Sequence, residues 1–98
     1  LVSVRDFQEL MGRIYLHRDS KRGVERTMLW LISEVGEFAD ALVKGDRKSM
    51  QDEAADVLAW LCSECNLLGI NLEEATLRKY GDGCPLCSRI PCMCTDRP

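Results

Sequence analysis

The sequence predicts an all-α fold: an antiparallel bundle of four helices, oligomerising, with a short C-terminal cysteine-rich tail. Three observations predict it. Apolar residues recur at spacings of three and four through the first eighty positions, no stretch alternates like a strand, and no proline occurs before Pro85. Gly45 and Gly69 stand where helix ends are needed.

Each element follows from local signals. Ser3 followed by Asp6 reads as an N-cap, and Phe7, Leu10, Met11, Ile14 and Tyr15 repeat at helical spacing, which predicts a first helix over residues 4–18. The polar, mostly charged segment 19–23 predicts a connection. Beyond it, Met28, Leu31, Ile32, Val35, Phe38, Ala39 and Leu42 mark one stripe of a long second helix ending at Lys44. Residues 45–48 predict a turn. Ser49 with Asp52 and Glu53 resembles an N-cap with an acidic first turn, opening a third helix that uses Ala54, Val57, Leu58, Leu61 and Cys65. Asn71 with Glu74 repeats the capping pattern and opens a short fourth helix to Tyr80, where Gly81, Asp82, Gly83 and Pro85 stop it. The chain thus divides into a helical domain, residues 1–80, and a cysteine-rich tail, residues 81–98.

Composition narrows the function classes. With 98 residues, net charge −3, 46% hydrophobic and 30% charged residues, the chain has room for one modest core. The acidic balance argues against a general nucleic-acid coater, which needs a broad basic face. Charged residues break every apolar run before the roughly 18 residues of a membrane span, and the N-terminus has no signal-peptide block. The expectation is a cytoplasmic protein with neither a membrane nor a nucleic-acid polymer as partner.

The most informative pattern is a pair of pairs. Glu34 and Glu37 lie on the second helix, Glu53 and Asp56 on the third, each pair three positions apart. Helical residues i and i+3 differ by about 60° in azimuth and lie roughly 5–6 Å apart, so each pair emerges from one face. Antiparallel packing turns the two faces toward each other. Glu34 and Glu37 sit in an otherwise apolar segment, and Asp56 is flanked by Ala54, Ala55, Val57 and Leu58. Carboxylates in such company repel one another unless a cation neutralises them, and hard oxygen ligands point to Mg²⁺. Mg²⁺ commonly joins carboxylates to substrate phosphates, which predicts phosphoester or phosphoanhydride chemistry. Either motif alone is common as surface charge on a solvated helix; the combination in successive helices carries the prediction.

The run from Trp30 through Glu34, Glu37 and Asp40, followed by Glu53-Ala-Ala-Asp56-Val-Leu, resembles the MazG-like branch of the all-α nucleoside triphosphate pyrophosphohydrolases over roughly residues 5–80. The resemblance implies hydrolysis of a nucleoside triphosphate, NTP or dNTP, to monophosphate and pyrophosphate, with nucleotide-pool cleaning as its purpose. It implies Mg²⁺ held by Glu34, Glu37, Glu53 and Asp56; by general acid–base logic one of these carboxylates, Glu37 or else Glu34, positions the attacking water. It also implies a homodimer or homotetramer whose substrate pocket is walled partly by a neighbour.

Other residues support a substrate role less specifically. Lys79 resembles a basic contact for the phosphate tail, although a cation at a helix C-terminus is favourable for dipole reasons alone. Arg22 and Arg26 are the candidates for steering a triphosphate within a basic stretch that also holds Arg13, Arg18 and Lys21. In related proteins the segment before the second helix contributes to the base pocket, which makes His17 a candidate. Trp30 lies one turn before Glu34 and Trp60 one turn after Asp56, placed either to stack on a base or to fill the core. Cys62 and Cys65 fit a packed helix face beside Leu58, Leu61 and Leu68.

The other four cysteines, Cys84, Cys87, Cys92 and Cys94, fall within eleven residues. Soft thiolates at this density suit a structural Zn²⁺, with disulfides or unligated thiols as alternatives; a cytosolic setting disfavours disulfides. The rival functional reading is a non-catalytic helical interaction module with a zinc knuckle.

Overall fold

In the computed structural model, residues 3–95 are described, and they form four helices with no strand among them. The helices are α1 (Val4–Arg22), α2 (Val24–Lys44), α3 (Arg47–Leu68) and α4 (Leu72–Tyr80). Helix α3 is the hub, packing against both α2 and α1, while α4 attaches to α1.

The caps explain the boundaries. The Ser3 hydroxyl accepts from the Asp6 amide at 3.1 Å and the Asn71 side chain accepts from the Glu74 amide at 3.0 Å, as the sequence predicts. Gly45 and Gly69 close α2 and α3 in the left-handed conformation. Two boundaries differ from the expectation. The predicted connection over residues 19–23 is helical through Arg22, because Ser20, Lys21 and Arg22 tolerate a helix and Arg22 pairs with Asp19 one turn back at 2.8 Å. Gly23 alone makes the turn into α2, with φ of 88°, a value that strains any residue bearing a Cβ. Helix α3 starts at Arg47, not after Ser49, because Asp46 is the N-cap and accepts from both the amide and the hydroxyl of Ser49.

A polar clamp fixes α1 to the α3–α4 corner. The Gln8 side-chain amide donates to the Asn66 side-chain oxygen at 3.0 Å and to the Ile70 carbonyl at 2.7 Å, and its oxygen accepts from the Leu72 amide at 3.0 Å. The Leu72 amide is one of the N–H groups that the start of a helix leaves without an intrahelical partner, so Gln8 serves as a second cap for α4. Asn66 returns the contact by donating to the Gln8 carbonyl at 3.1 Å.

The apolar core is small for this length. Among the described residues the buried apolar side chains are Met11, Ala41, Cys62 and Cys65. The predicted packing role of Cys62 and Cys65 holds. The stripe on α2 does not close over a core within one chain: Met28, Ile32, Val35, Phe38 and Leu42 are exposed, Leu42 to 63%. The chain exposes 7323 Å², against about 5,700 Å² for a compact monomer of this mass. Its radius of gyration, 15.7 Å, exceeds the about 13 Å of a compact 100-residue domain. No helix of the described residues is long and apolar enough to cross a membrane.

Candidate metal centres

Helices α2 and α3 are joined by Gly45 and Asp46 alone, so they return antiparallel and set the two carboxylate pairs face to face. Glu34, Glu37 and Glu53 each offer a carboxylate oxygen within 4.8 Å of the others. Asp56 lies outside that tight set, yet its charge is felt by both Glu34 and Glu53.

The electrostatics follow from this crowding. Burial, then the neighbouring Glu37 charge, then Asp56 and Glu53, push the Glu34 carboxyl up to about 7. Burial and the charges of Glu37 and Asp56 also raise Glu53. Glu34 Oε2 and Glu53 Oε2 are buried and find no hydrogen-bond partner among the described residues. Buried carboxylate oxygens facing one another without donors have the chemistry of a cation site, and an all-oxygen set suits a hard divalent ion such as Mg²⁺. The donor set therefore fits the metal that the sequence predicts.

Asp56 connects this cluster to a groove of about 230 Å³ lined by Tyr15, Arg18, Asp19, Arg22, Trp60 and others. Arg22 organises its wall: the guanidinium donates to Asp19 Oδ1 at 2.8 Å and to Thr27 Oγ1 at 3.3 Å, and lies 4.7 Å from the Trp60 ring centroid. Trp60 in turn stacks on Trp30 at 5.8 Å, with 13° between the planes. The aromatic pair is partly open, Trp30 being 52% exposed, so it fills no core within a single chain.

Of the predicted substrate residues, the structure brings Arg22 to this groove and Trp30 to its aromatic wall. His17 and Arg26 are exposed and are not among the groove's lining residues. Lys79 is on α4, its ammonium 5.5 Å from the adjacent Tyr80 ring, and is likewise absent from the groove lining. The groove also takes Tyr15, Arg18 and Asp19, which the sequence places in the apolar stripe, in a general basic stretch and in a connection. The signal for them was the i, i+3 and i+4 spacing of Tyr15, Arg18, Asp19 and Arg22, legible only once α1 is known to continue to Arg22.

The four tail cysteines converge independently. Their Sγ atoms all lie within 4.8 Å of one another, and no disulfide joins any of the six cysteines. Backbone amides of Cys87 and Leu86 hold the Cys84 thiol down to about 6, and the Met93 amide lowers Cys87. Cys94, beside the sulfurs of Cys92, Cys87 and Cys84, is pushed up to about 12.

Comparison with known proteins places the chain in a family. No curated protein matches the chain. The MazG nucleotide pyrophosphohydrolase domain matches residues 22–87, which include all four carboxylates and end on Cys87, within the cysteine cluster. The match spans two thirds of the sequence, and the paired-carboxylate hairpin lies wholly inside it. The chain therefore belongs to the MazG nucleotide pyrophosphohydrolase family, whose members are hydrolases of acid anhydrides.

Proposed function

We propose that the chain hydrolyses nucleoside triphosphates, NTP or dNTP, to the monophosphate and pyrophosphate in a Mg²⁺-dependent reaction. The observation that carries the reading is the convergence of Glu34, Glu37 and Glu53 within 4.8 Å, with buried oxygens lacking donors, beside a groove walled by Asp56, Arg22 and Trp60. Glu34, Glu37, Glu53 and Asp56 would hold the ion. Bound there, Mg²⁺ supplies charge neutralisation at the phosphate oxygens and lowers the pKa of water.

The chain's own groups divide the remaining work. Glu37 is the most exposed of the clustered glutamates and is the best placed to orient and accept a proton from the attacking water, with Glu34 as the other candidate. Attack at the α-phosphorus breaks its bond to the bridging oxygen and releases pyrophosphate. Arg22, held in place by Asp19 and Trp60, and Arg18 offer positive charge to the phosphates from the groove side. Tyr15, Trp60 and Trp30 offer aromatic surface to a base.

The active form is a homodimer or homotetramer. The exposed apolar stripe of α2, the small core and the excess surface of on the order of 1,600 Å² support it. The groove's volume of about 230 Å³ is below the roughly 300–1,000 Å³ of complete small-molecule sites, as a pocket finished by a neighbour requires. His17, Arg26 and Lys79 line no part of this groove, so a role for them in substrate binding requires a second copy to bring them to it. The physiological purpose is removal of unwanted nucleotides from the cytoplasmic pool. The cysteine cluster takes no part in the reaction, since four thiolates would close a coordination sphere and leave no position for substrate.

Incubation of the purified chain with a panel of canonical and modified NTPs and dNTPs, with and without Mg²⁺, tests the reading. Monophosphate plus pyrophosphate is the expected product pair. Diphosphate plus orthophosphate contradicts the cleavage position, and inactivity across the panel favours a binding module.

A further inference from the structure

The tail beyond α4 carries a second centre that pyrophosphohydrolysis does not use. The segment has no helix or strand among its described residues and buries little, yet four of its side chains meet at one point. An apolar core does not explain that convergence: Leu86, Ile90 and Met93, the large apolar side chains of the segment, are all exposed. The sulfurs instead of the hydrocarbons are gathered together, with Cys84, Cys87 and Cys94 half-buried and Cys92 exposed.

Their spacing has a specific value. The separations are 3.5 Å for Cys92 to Cys84, 3.8 Å for Cys84 to Cys94 and 4.0 Å for Cys87 to Cys92. A tetrahedron with metal–sulfur bonds of about 2.3 Å has edges of about 3.8 Å, and the observed values bracket that length. They are far from the roughly 2.05 Å of a disulfide.

The backbone is shaped to present these sulfurs. The Cys84 amide donates to the Arg89 carbonyl at 3.1 Å and the Ser88 amide donates to the Cys84 carbonyl at 2.7 Å, closing a tight loop around Cys84 and Cys87. Ser88 takes a left-handed φ of 58° within it. Gly83 enters the loop with φ of 109°, where an added Cβ would stand 2.9 Å from Ile90 Cγ1 and 3.0 Å from the Arg89 carbonyl oxygen. The Met93 amide donates to Cys87 Sγ and the Cys94 amide to Cys92 Sγ, each at 3.4 Å, the arrangement that stabilises negative sulfur.

We infer that Cys84, Cys87, Cys92 and Cys94 form a closed tetrathiolate site for one Zn²⁺, which holds residues 83–94 together in place of a hydrophobic core. Four soft ligands in a tetrahedral set select Zn²⁺ over the hard ion suited to the carboxylates, so the chain has two metal centres of opposite ligand chemistry. Zinc entry displaces the thiol protons into solvent, and the Zn–S bonds supply the ordering free energy that burial does not.

The test uses the full chain purified under reducing conditions without chelator. Metal analysis is expected to find about one zinc per chain. After chelation and loading with Co²⁺ alone, thiolate-to-metal charge-transfer absorption and the d–d bands of a tetrahedral site are expected. Cys84→Ser and Cys92→Ser should each lose the stoichiometric zinc with the helical circular dichroism retained, whereas Glu37→Gln should keep the zinc. The inference is overturned by a zinc-free wild-type chain without the tetrahedral cobalt spectrum, by iron in place of zinc, or by zinc retained in the C84S/C92S double variant. The cobalt titration needs no variant, so a cysteine substitution that unfolds the chain leaves the test intact. Inactivity toward nucleotides with zinc present would overturn only the proposed hydrolysis, and hydrolysis without zinc would overturn only this site.

Discussion

Trp30 and Trp60 stack at 5.8 Å with nearly parallel rings, joining α2 and α3 one helical turn from Glu34 and from Asp56. The stack is therefore part of what sets the spacing of the two carboxylate pairs. Urea unfolding of Trp30→Ala, Trp60→Ala and the double variant is expected to give a coupling of about 0.5–1.5 kcal/mol. A coupling near zero would mean that the pair adds nothing beyond its separate contacts.

Gln8 fastens three parts of the chain at once, through Asn66, the Ile70 carbonyl and the Leu72 amide. Gln8→Leu keeps the bulk and leaves those groups unsatisfied in a part-buried setting. The expected cost is about 1–3 kcal/mol, read as a lowered urea midpoint. Amide exchange should accelerate first in α4, whose start Gln8 caps.

Glu64 is 2% exposed, and both its carboxylate oxygens lack a hydrogen-bond partner among the described residues. Burial, reinforced by the Glu25 charge, raises its pKa above the ordinary 4.5. A carboxyl whose folded value is raised contributes stability that is fully present below about 4.5 and is lost as pH rises through the folded value. Glu64→Gln cannot ionise, so it should melt higher than the natural chain at pH 8 and lose that advantage at pH 4. An equal difference at both pH values would show that ionisation of Glu64 is not the cause.

The same sign applies to Glu34, raised to about 7 by burial and by Glu37. Without metal, its contribution is lost between about pH 4.5 and pH 7 as the cluster ionises. Proton and Mg²⁺ compete for the same oxygens, so the gain in melting temperature on adding Mg²⁺ should grow from pH 5 to pH 8. Excess EDTA should abolish the gain, and Glu34→Gln should flatten its pH dependence.

Substitution at the cluster separates chemistry from folding. Glu37→Gln should lower kcat/KM by about 100-fold or more while the helical signal persists. Asp56→Asn should weaken Mg²⁺ dependence, seen as a rightward shift in the metal titration of the rate. Full activity in either variant would remove that residue from the proposed site.

Much of this architecture was legible from local signals. Ser3 and Asn71 announce helix starts because their side chains satisfy backbone amides only a few residues away. Gly45 and Gly69 announce ends because the left-handed turn favours glycine. The approach of Glu34, Glu37 and Glu53 follows from helical spacing plus the short turn predicted over residues 45–48, which the structure shortens to Gly45 and Asp46. Asp46 displaces Ser49 as a cap through a competition between two good acceptors, and residues 19–22 are helical where their charge predicts a loop, because charged residues also suit a helix.

The sequence by itself determined the helical class, the pairing of α2 with α3 and the membership of both clusters of candidate ligands, because spacing along a helix and ligand chemistry are local properties. Only the tertiary structure decided that Asp56 stands apart from the tight glutamate trio, that Arg22 is held by Asp19, Thr27 and Trp60, and that the cysteine sulfurs reach tetrahedral spacing. These are relationships between segments, set by how α1 lies across α3 and by how the tail loop closes on Gly83. It also decided that the α2 stripe, read from periodicity as one side of a bundle, remains exposed: periodicity says that a face is apolar, and packing alone says what covers it.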